Sequence, residues 1–524
     1  MPGKSLLSAA ALAAGALLSS PALYAQEVQL STTDGGITLT GELLEFTGET
    51  FILATSVGKL EIDAFSVVCE GAACPPPELM RSDFRIAGAK SISEGFLPAL
   101  IDAYGFDLDV DVLNTLTDDG SELTLTGAND ENLATINLAG LGSTGGLKAL
   151  LDGEASLAVT SRPLRNREAR AFADAGLGNL ADPENEKVLA LDGLVVVTSR
   201  DNPVRAIRET DVPEVFSGRI NNWSQLGGPD APIRLYVRDE SSGTREVFDN
   251  LVMRPVGLAV ADQVISVDND DAIADLVSAD PYGIGFTGFA SLRNAKGLAI
   301  EGVCGLQTPP TAFTIKTEEY PLTRRLYMYQ TNRPKTRHAK ALMDFALSDM
   351  AQQVIADAGF IDQAITAETI NAQGLRLASA LTAPEAGQSF GQLQDMVGTL
   401  INADRLSTTF RFETGSSELD SKAQADIQRL AAQLMEGKYD NKELLLVGFT
   451  DSVGQADLNQ FLSADRAGQV QQALLDAAGG DLPNVKFRVL GYGEISPLGC
   501  NETFQGRLIN RRVEVWTRDL VGGE

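Results

Sequence analysis

Three folded units of different class follow one another in this sequence: a small β module, an α/β body long enough for two lobes, and a C-terminal α+β domain. Three observations predict that order. The 524 residues exceed one core, since domains of about 150 residues are usual. Strand-like and helix-like runs change their order twice along the chain. Stretches rich in proline near 75–82, and in Ala, Thr, Gly and Gln over 371–389, interrupt the pattern at those changes.

The composition, 44% apolar and 22% charged, is that of a globular chain, not a disordered or multi-span one. Against 71 acidic side chains stand 42 basic ones, a net charge of −29, which opposes binding to nucleic acid or an anionic bilayer. A single histidine, His338, removes imidazole-based metal sites and most His-dependent acid/base schemes. HExxH, P-loop, GxSxG and GxGxxG patterns in the right context are all missing, so no enzyme, metal or cofactor is expected.

The first unit begins with an export signal. Lys4, the apolar run Leu6 to Leu18 and small residues up to Ala25 have the layout of a cleaved signal peptide over 1–25. Such a run is too short to span a bilayer. Export leads to an oxidising compartment and a disulfide reading of the four cysteines. Cys69 and Cys74, in CEGAAC, predict a local bridge. Cys304 and Cys500 either pair across a domain interface or stay as two buried thiols. Residues 26–80 alternate strand-like runs with glycine turns and predict a small β-barrel-like module. Ser56-Val57-Gly58-Lys59 fits S-x-x-K but sits in a β-type run instead of at a helix start, so it is read as chance. The module is assigned no chemistry.

Over 83–370, strand runs such as FRIAG, LAVTS, LVVVTS, IRLYVR and GIGFTG alternate with helical patterns. Three segments share one design, in which a strand ends, small hydroxyl or glycine residues follow and a helix starts. In IAGAKSISEGFLPALIDAYG, Ser91 and Glu94 read as a capping box. In GLGSTGGLKALLDG, Ser143 and Thr144 head a helix. In YVRDESSGTREVFDNLV, Ser242, Gly243 and Thr244 do the same, with Arg238 just upstream. Each supplies unpaired N–H groups and a positive dipole end, and Arg238 offers a planar donor fork suited to an oxyanion. The acidic run at 268–276 is read as a helix start with a solvated face, since a calcium loop would need a glycine and a terminal glutamate there.

The ordered set LDGLVVVTSRDNPV, DVPEVFSGRINNWSQLGG, IRLYVRDESSGTREVFDNLV, PYGIGFTGFA and EEYPLTRRLYMY resembles the phosphate-binding proteins of bacterial phosphate ABC transporters across about 83–370. The resemblance implies a two-lobed periplasmic-binding fold of type II that closes over desolvated phosphate, with an ABC transporter permease as partner. It also implies contacts from Ser91 and the Ile92 backbone, Ser143, Arg238, Ser242, Gly243 and Thr244, with Glu240 bracing the Arg238 guanidinium. Members of that family carry an aspartate where this chain has Ser161, followed here by Arg162. That departure implies weaker discrimination against sulfate.

Residues 371–405 read as a connector with a lead-in helix, and the last unit alternates strand, helix, strand, helix, strand, strand. Within GFTDSVGQADLNQFLSADRAGQVQQALL, Asp451 and Arg466 on neighbouring elements can hold a zwitterion by its ammonium and carboxylate ends. An internal Asp–Arg pair is the plainer reading of that spacing. FRFETGSSELD, the TDSVG run, GYGEISPLG and GRLINRRVEVW resemble the OmpA-like peptidoglycan-binding domain across about 406–518. This implies that Asp451 and Arg466 grip the diaminopimelate of a peptidoglycan stem, with Thr450, Asn459, Leu462 and Arg512 beside them. The sequence therefore predicts an exported, noncatalytic receptor for phosphate or a similar tetrahedral oxyanion, held in the periplasm on peptidoglycan. The competing expectation is a wall-anchored sensor or scaffold with no transport role.

Overall fold

The computed structural model describes residues 27–32, 36–47, 50–75, 82–117, 120–127, 132–240, 242–374, 378, 390–412 and 419–520. The expected signal peptide at 1–25 lies outside them. Among the described residues no helix is long and apolar enough to cross a membrane.

The N-terminal unit is an antiparallel five-stranded sheet in the order Gly58–Asp63, Thr50–Thr55, Thr38–Phe46, Glu27–Thr32, Val67–Glu70. Alternation places Val28 and Leu30 on one face, where they pack with Phe51, Leu53, Ala64 and Val67. Cys69 and Cys74 form the local disulfide, with Cα atoms 5.8 Å apart.

The chain from Ser82 onward forms a second compact unit. Its first part is one long mixed sheet: Ile265–Val267, Arg234–Arg238, Gly283–Gly288, Glu186–Thr198, Thr323–Tyr329, Leu157–Thr160, Phe84–Gly88, Asn132–Ala139, Gly120–Thr126 and Asp111–Thr117. Glu186–Thr198 belongs to both lobes. Its residues 186–193 pair with Thr323–Tyr329 and its residues 194–198 with Gly283–Gly288. Separate cores lie to either side of it, one around Ile86, Phe96, Ile136 and Leu342, the other around Phe216, Trp223, Phe248 and Phe286.

The second part is a five-stranded sheet ordered Ala367–Thr369, Asp404–Arg411, Arg512–Asp519, Lys442–Phe449, Lys486–Gly491. Helices Ser421–Met435 and Ala456–Ala477 cover one face through Leu430, Leu434, Val470 and Leu474, against Leu444 and Leu446. Helix Phe390–Leu400 covers the other through Leu393, Met396 and Leu400, against Leu445, Val447 and Trp516. The sequence expectation for 371–405 is a linker with a lead-in helix, and a helix stands at Phe390–Leu400. Because Leu445 and Val447 point away from Leu444 and Leu446, the sheet is apolar on both faces, and the lead-in helix buries the second one. The edge strand Ala367–Thr369 also lies upstream of the expected boundary.

The two parts are joined by covalent and buried polar contacts. Cys304 and Cys500 form a disulfide, which resolves the two alternatives for that pair. Arg405, fully buried, pairs with Glu319 and lies 3.4 Å from Glu514. Arg411 donates to the Thr317 carbonyl at 2.5 Å, and Arg325 meets Asp420 at 2.7 Å. Ser421 donates to Glu186. Burial acts to raise the Glu318 carboxyl, but Arg325, Lys422 and Arg411 outweigh it and hold it down at about 2.

His338 is buried beside Tyr104, whose hydroxyl lies 2.9 Å from Nδ1. Burial, with Arg337 nearby, lowers its pKa to about 4. The folded state thus holds the neutral ring, and protonation favours the unfolded chain. Stability should be unaffected by this group above about pH 6.5 and should fall by up to about 3 kcal/mol as pH drops from there to about 4. Urea denaturation across that range should show the slope, and His338→Gln should flatten it.

Candidate functional site

A cleft of about 550 Å³ opens between the lobes, its walls including Ser91, Arg238, Ser242, Gly243, Thr244, Asp192, Asp270 and Arg324. Two strand ends place the first wall. Gly88 closes Phe84–Gly88 at φ +153°, and a Cβ there would stand 1.8 Å from the Val159 carbonyl oxygen, so only glycine lets these strands meet and turn into the short helix Lys90–Ser93. From the other lobe, Arg234–Arg238 ends at Arg238, and Ser242 caps helix Gly243–Phe248 by accepting from the Arg245 N–H at 3.4 Å. The two helix starts face each other: a Cβ on Gly243 would lie 3.7 Å from the Ser91 nitrogen.

Asp270 organises the second wall. It pairs with Arg238, accepts from the Thr244 hydroxyl at 2.8 Å and from the Gly288 N–H at 3.2 Å. Glu240, expected to brace Arg238, is exposed. The bracing carboxylate comes instead from 32 residues downstream, at the first turn of helix Asp270–Ala279, within the run read as a solvated face. Arg238 Nε is buried without a hydrogen-bond partner. It is a desolvated donor at the cleft.

Other expected residues lie differently. Ser91 is inside its short helix, whose N-cap is Ala89, and Glu94 is the C-cap, so the pair forms no capping box. The Ile92 N–H already donates to the Ala89 carbonyl at 3.0 Å. Ser143, near the start of helix Gly142–Asp152, accepts from the Ser161 N–H at 3.1 Å. Arg162 is held by both Glu168 oxygens, at 2.8 and 2.9 Å, and by Thr144 at 3.0 Å. Ser161 and Arg162 line a neighbouring pocket with Leu251, Arg325, Arg411 and Phe412. With its fork committed to Glu168, Arg162 is not among the residues that line the interlobe cleft.

In the C-terminal domain, Asp451 follows strand Lys442–Phe449. Its Oδ2 meets Arg511 at 2.6 Å and its Oδ1 accepts from the Val453 N–H at 3.0 Å. Arg466, from helix Ala456–Ala477, is buried with its guanidinium 5.0 Å from the Phe412 ring centroid. Burial and the Arg511 charge lower its pKa, against the pull of Asp451 and Asp465. Asn459 donates to the Asp451 carbonyl at 3.3 Å and to Glu494 at 2.8 Å, and the Thr450 N–H donates to the Gly493 carbonyl at 2.8 Å. Leu462 is exposed on the same helix. Arg512, expected beside this site, is instead inside the domain, bonded to Glu514, to the Asn510 and Ser496 carbonyls, and stacked on Phe449. Neighbouring residues of an extended chain point to opposite sides, so in the Arg511-Arg512 pair only Arg511 faces Asp451. The doubled arginine was the available signal.

Two lobes built on one shared strand, with a polar cleft between them, define a two-lobed binding protein of the type II periplasmic-binding fold. The chain belongs to the PBP superfamily, whose domain model matches residues 81–350. The OmpA family matches residues 411–511. Among similar curated proteins, the phosphate-binding protein PstS of Borreliella burgdorferi is 28% identical over 227 residues, covering 42% of this chain and 77% of that one. Protein SphX of Synechococcus elongatus is 27% identical, covering 50% and 79%. The crystal structure of an ABC-type phosphate transport receptor from Vibrio cholerae aligns at 25% identity and a TM-score of 0.42, covering 53% of this chain and 99% of that one.

The Arg512–Glu514 pair is fully buried, and removing Arg512 takes one buried cation from the Glu514 carboxylate, which keeps Arg405 at 3.4 Å. Arg512→Ala should destabilise the C-terminal domain by about 3–5 kcal/mol. A shifted urea midpoint checks this. An unmoved midpoint with lost ligand binding would return Arg512 to the site.

Proposed function

We propose that the chain is an exported receptor that binds inorganic phosphate between its lobes while its C-terminal domain holds it on peptidoglycan. The observation that carries the first half is Arg238, which lines the cleft with the Ser242–Thr244 helix start and Ser91 and whose Nε is buried without a hydrogen-bond partner. Its charge is already balanced by Asp270, so the cleft offers hydrogen-bond donors without a large uncompensated field. Fixed donors can replace the water shell of a small tetrahedral anion. The similarity to proteins named for phosphate binding supports that anion over others.

The second half rests on Asp451, Arg466 and Arg511 gathered around Phe412. Two guanidinium groups and one carboxylate suit a ligand bearing both carboxylate and ammonium, such as the diaminopimelate of a peptidoglycan stem. Neither half needs a bond to be broken, so the reading is a binding protein.

Calorimetry on the full chain should show phosphate binding, weakened at least about thirtyfold in Arg238→Ala because a charged hydrogen bond in a desolvated site is lost. Heat from sulfate with none from phosphate would reverse the assignment. Arg466→Ala should abolish co-sedimentation with purified sacculi, and full retention there would remove the wall-binding half. If a permease receives the ligand, deleting the gene should lower phosphate uptake. Unchanged uptake favours a sensor or scaffold.

A further inference from the structure

A second crevice, of about 390 Å³, lies where both lobes meet the C-terminal domain. Arg162 reaches it from the turn after the first-lobe strand Leu157–Thr160, Leu251 and Tyr320 from the second lobe, and Arg411 and Phe412 from the C-terminal domain. Its size is within the range of small-molecule sites, and its lining mixes apolar walls with arginines.

Arg411 is the group there whose interactions are incomplete. Its side chain is only 9% exposed. The two Nη atoms donate to backbone carbonyls, of Ile509 at 2.7 Å and of Thr317 at 2.5 Å, while Nε is buried without a hydrogen bond. Its ion-pair partner Glu318 stands 3.8 Å from Nε and is already gripped by the Arg325 fork. Buried cations usually sit against a carboxylate of their own. Burial lowers the Arg411 pKa despite the pull of Glu318 and Glu319, whereas the carboxylates on Arg325 and Arg405 raise theirs. An anion beside Arg411 would supply what the protein does not.

Phe412 ties this crevice to the candidate wall site. It lines the crevice with Arg411, and its ring centroid is 5.0 Å from the Arg466 guanidinium. Two buried arginines thus border one aromatic ring, an arrangement that suits a ligand with two carboxylates. In a diaminopimelate stem the preceding residue is a glutamate joined through its side chain, so its α-carboxylate stays free one residue away. Leu251, Tyr320 and Phe412 offer apolar walls to the methylenes between them.

We infer, resting on the peptidoglycan reading, that this crevice is the second half of the wall site, in which Arg411 takes the α-carboxylate of the glutamate preceding diaminopimelate. The receptor lobes then form part of the wall site through Leu251 and Tyr320.

The test is calorimetry on the full chain with the tripeptide alanyl-γ-glutamyl-diaminopimelate and with its isoglutamine analogue, in which that carboxylate is an amide. The acidic tripeptide should bind at least about tenfold tighter than the amidated one, the scale of a charged hydrogen bond. Arg411→Gln should remove the difference. Because that variant also withdraws donors from the Ile509 and Thr317 carbonyls, the companion is Leu251→Glu, at a position 43% exposed. A like charge there should weaken the acidic tripeptide about tenfold more than the amidated one, and Leu251→Gln should not. Where Arg411→Gln fails to fold, Leu251→Glu decides alone. Equal binding of the two tripeptides by the wild-type protein overturns the inference, as does a wild-type preference that survives in either folded variant. Wild-type protein that binds neither tripeptide nor free diaminopimelate instead overturns the peptidoglycan reading itself.

Discussion

The molecule turns on a charged pair placed where an apolar one would be cheaper. Asp192 and Arg324 face each other across the two strands that join the lobes, both nearly without solvent. Burying each ion costs several kcal/mol before pairing offsets it, and well-packed apolar residues at such positions are often at least as stable. The surrounding strand, Val188 to Leu191 and Leu194 to Val197, is apolar throughout, so the sequence could have supplied such residues here. A polar hinge centre makes sense when one end of the pair opens on a cleft that needs it.

The same economy governs the rest of the cleft. Its lining carries three basic side chains, Lys90, Arg238 and Arg324, and three acidic ones, Glu94, Asp192 and Asp270, which balance. The chain's net charge of −29 therefore does not reach the site as a local excess. Exposed charges beyond about 8 Å are screened at physiological salt, and what an incoming ion meets is the nearby set of oriented N–H, O–H and guanidinium groups. Holding Arg238 with Asp270 fixes the fork while Nε stays without a hydrogen-bond partner, a geometry a free arginine would lose to rotamer entropy.

Sequence reading reached what local pattern encodes. The order of the units, the helix start at Ser242 and the Cys69–Cys74 bridge all depend on spacing within a few turns of chain. It missed what depends on packing between distant segments. Asp270 was read as solvated because its own stretch is acidic, and only the meeting of its helix with Arg234–Arg238 reveals it as the partner of Arg238. Arg512 was named and Arg511 was not, because strand register is invisible until the neighbouring strand is placed. A lone aspartate in an apolar strand was, in retrospect, legible: a buried charge in such a run demands a partner or a ligand.

The C-terminal domain adds a constraint that the receptor alone would not have. It is tied to the second lobe by Cys304–Cys500, by Arg405 on Glu319 and by Arg411 on Thr317. It also touches the hinge strands, through Asp420 on Arg325 and Ser421 on Glu186. Glu318, held ionised well below the usual carboxylate range by three basic neighbours, sits among these contacts. Arg324 and Arg325 are adjacent on one strand, and alternation sends the first toward Asp192 and the cleft and the second toward Glu318 and Asp420. Strand Thr323–Tyr329 therefore carries, on two adjacent residues, one contact to the lining of the cleft and one to the domain that holds Asp451.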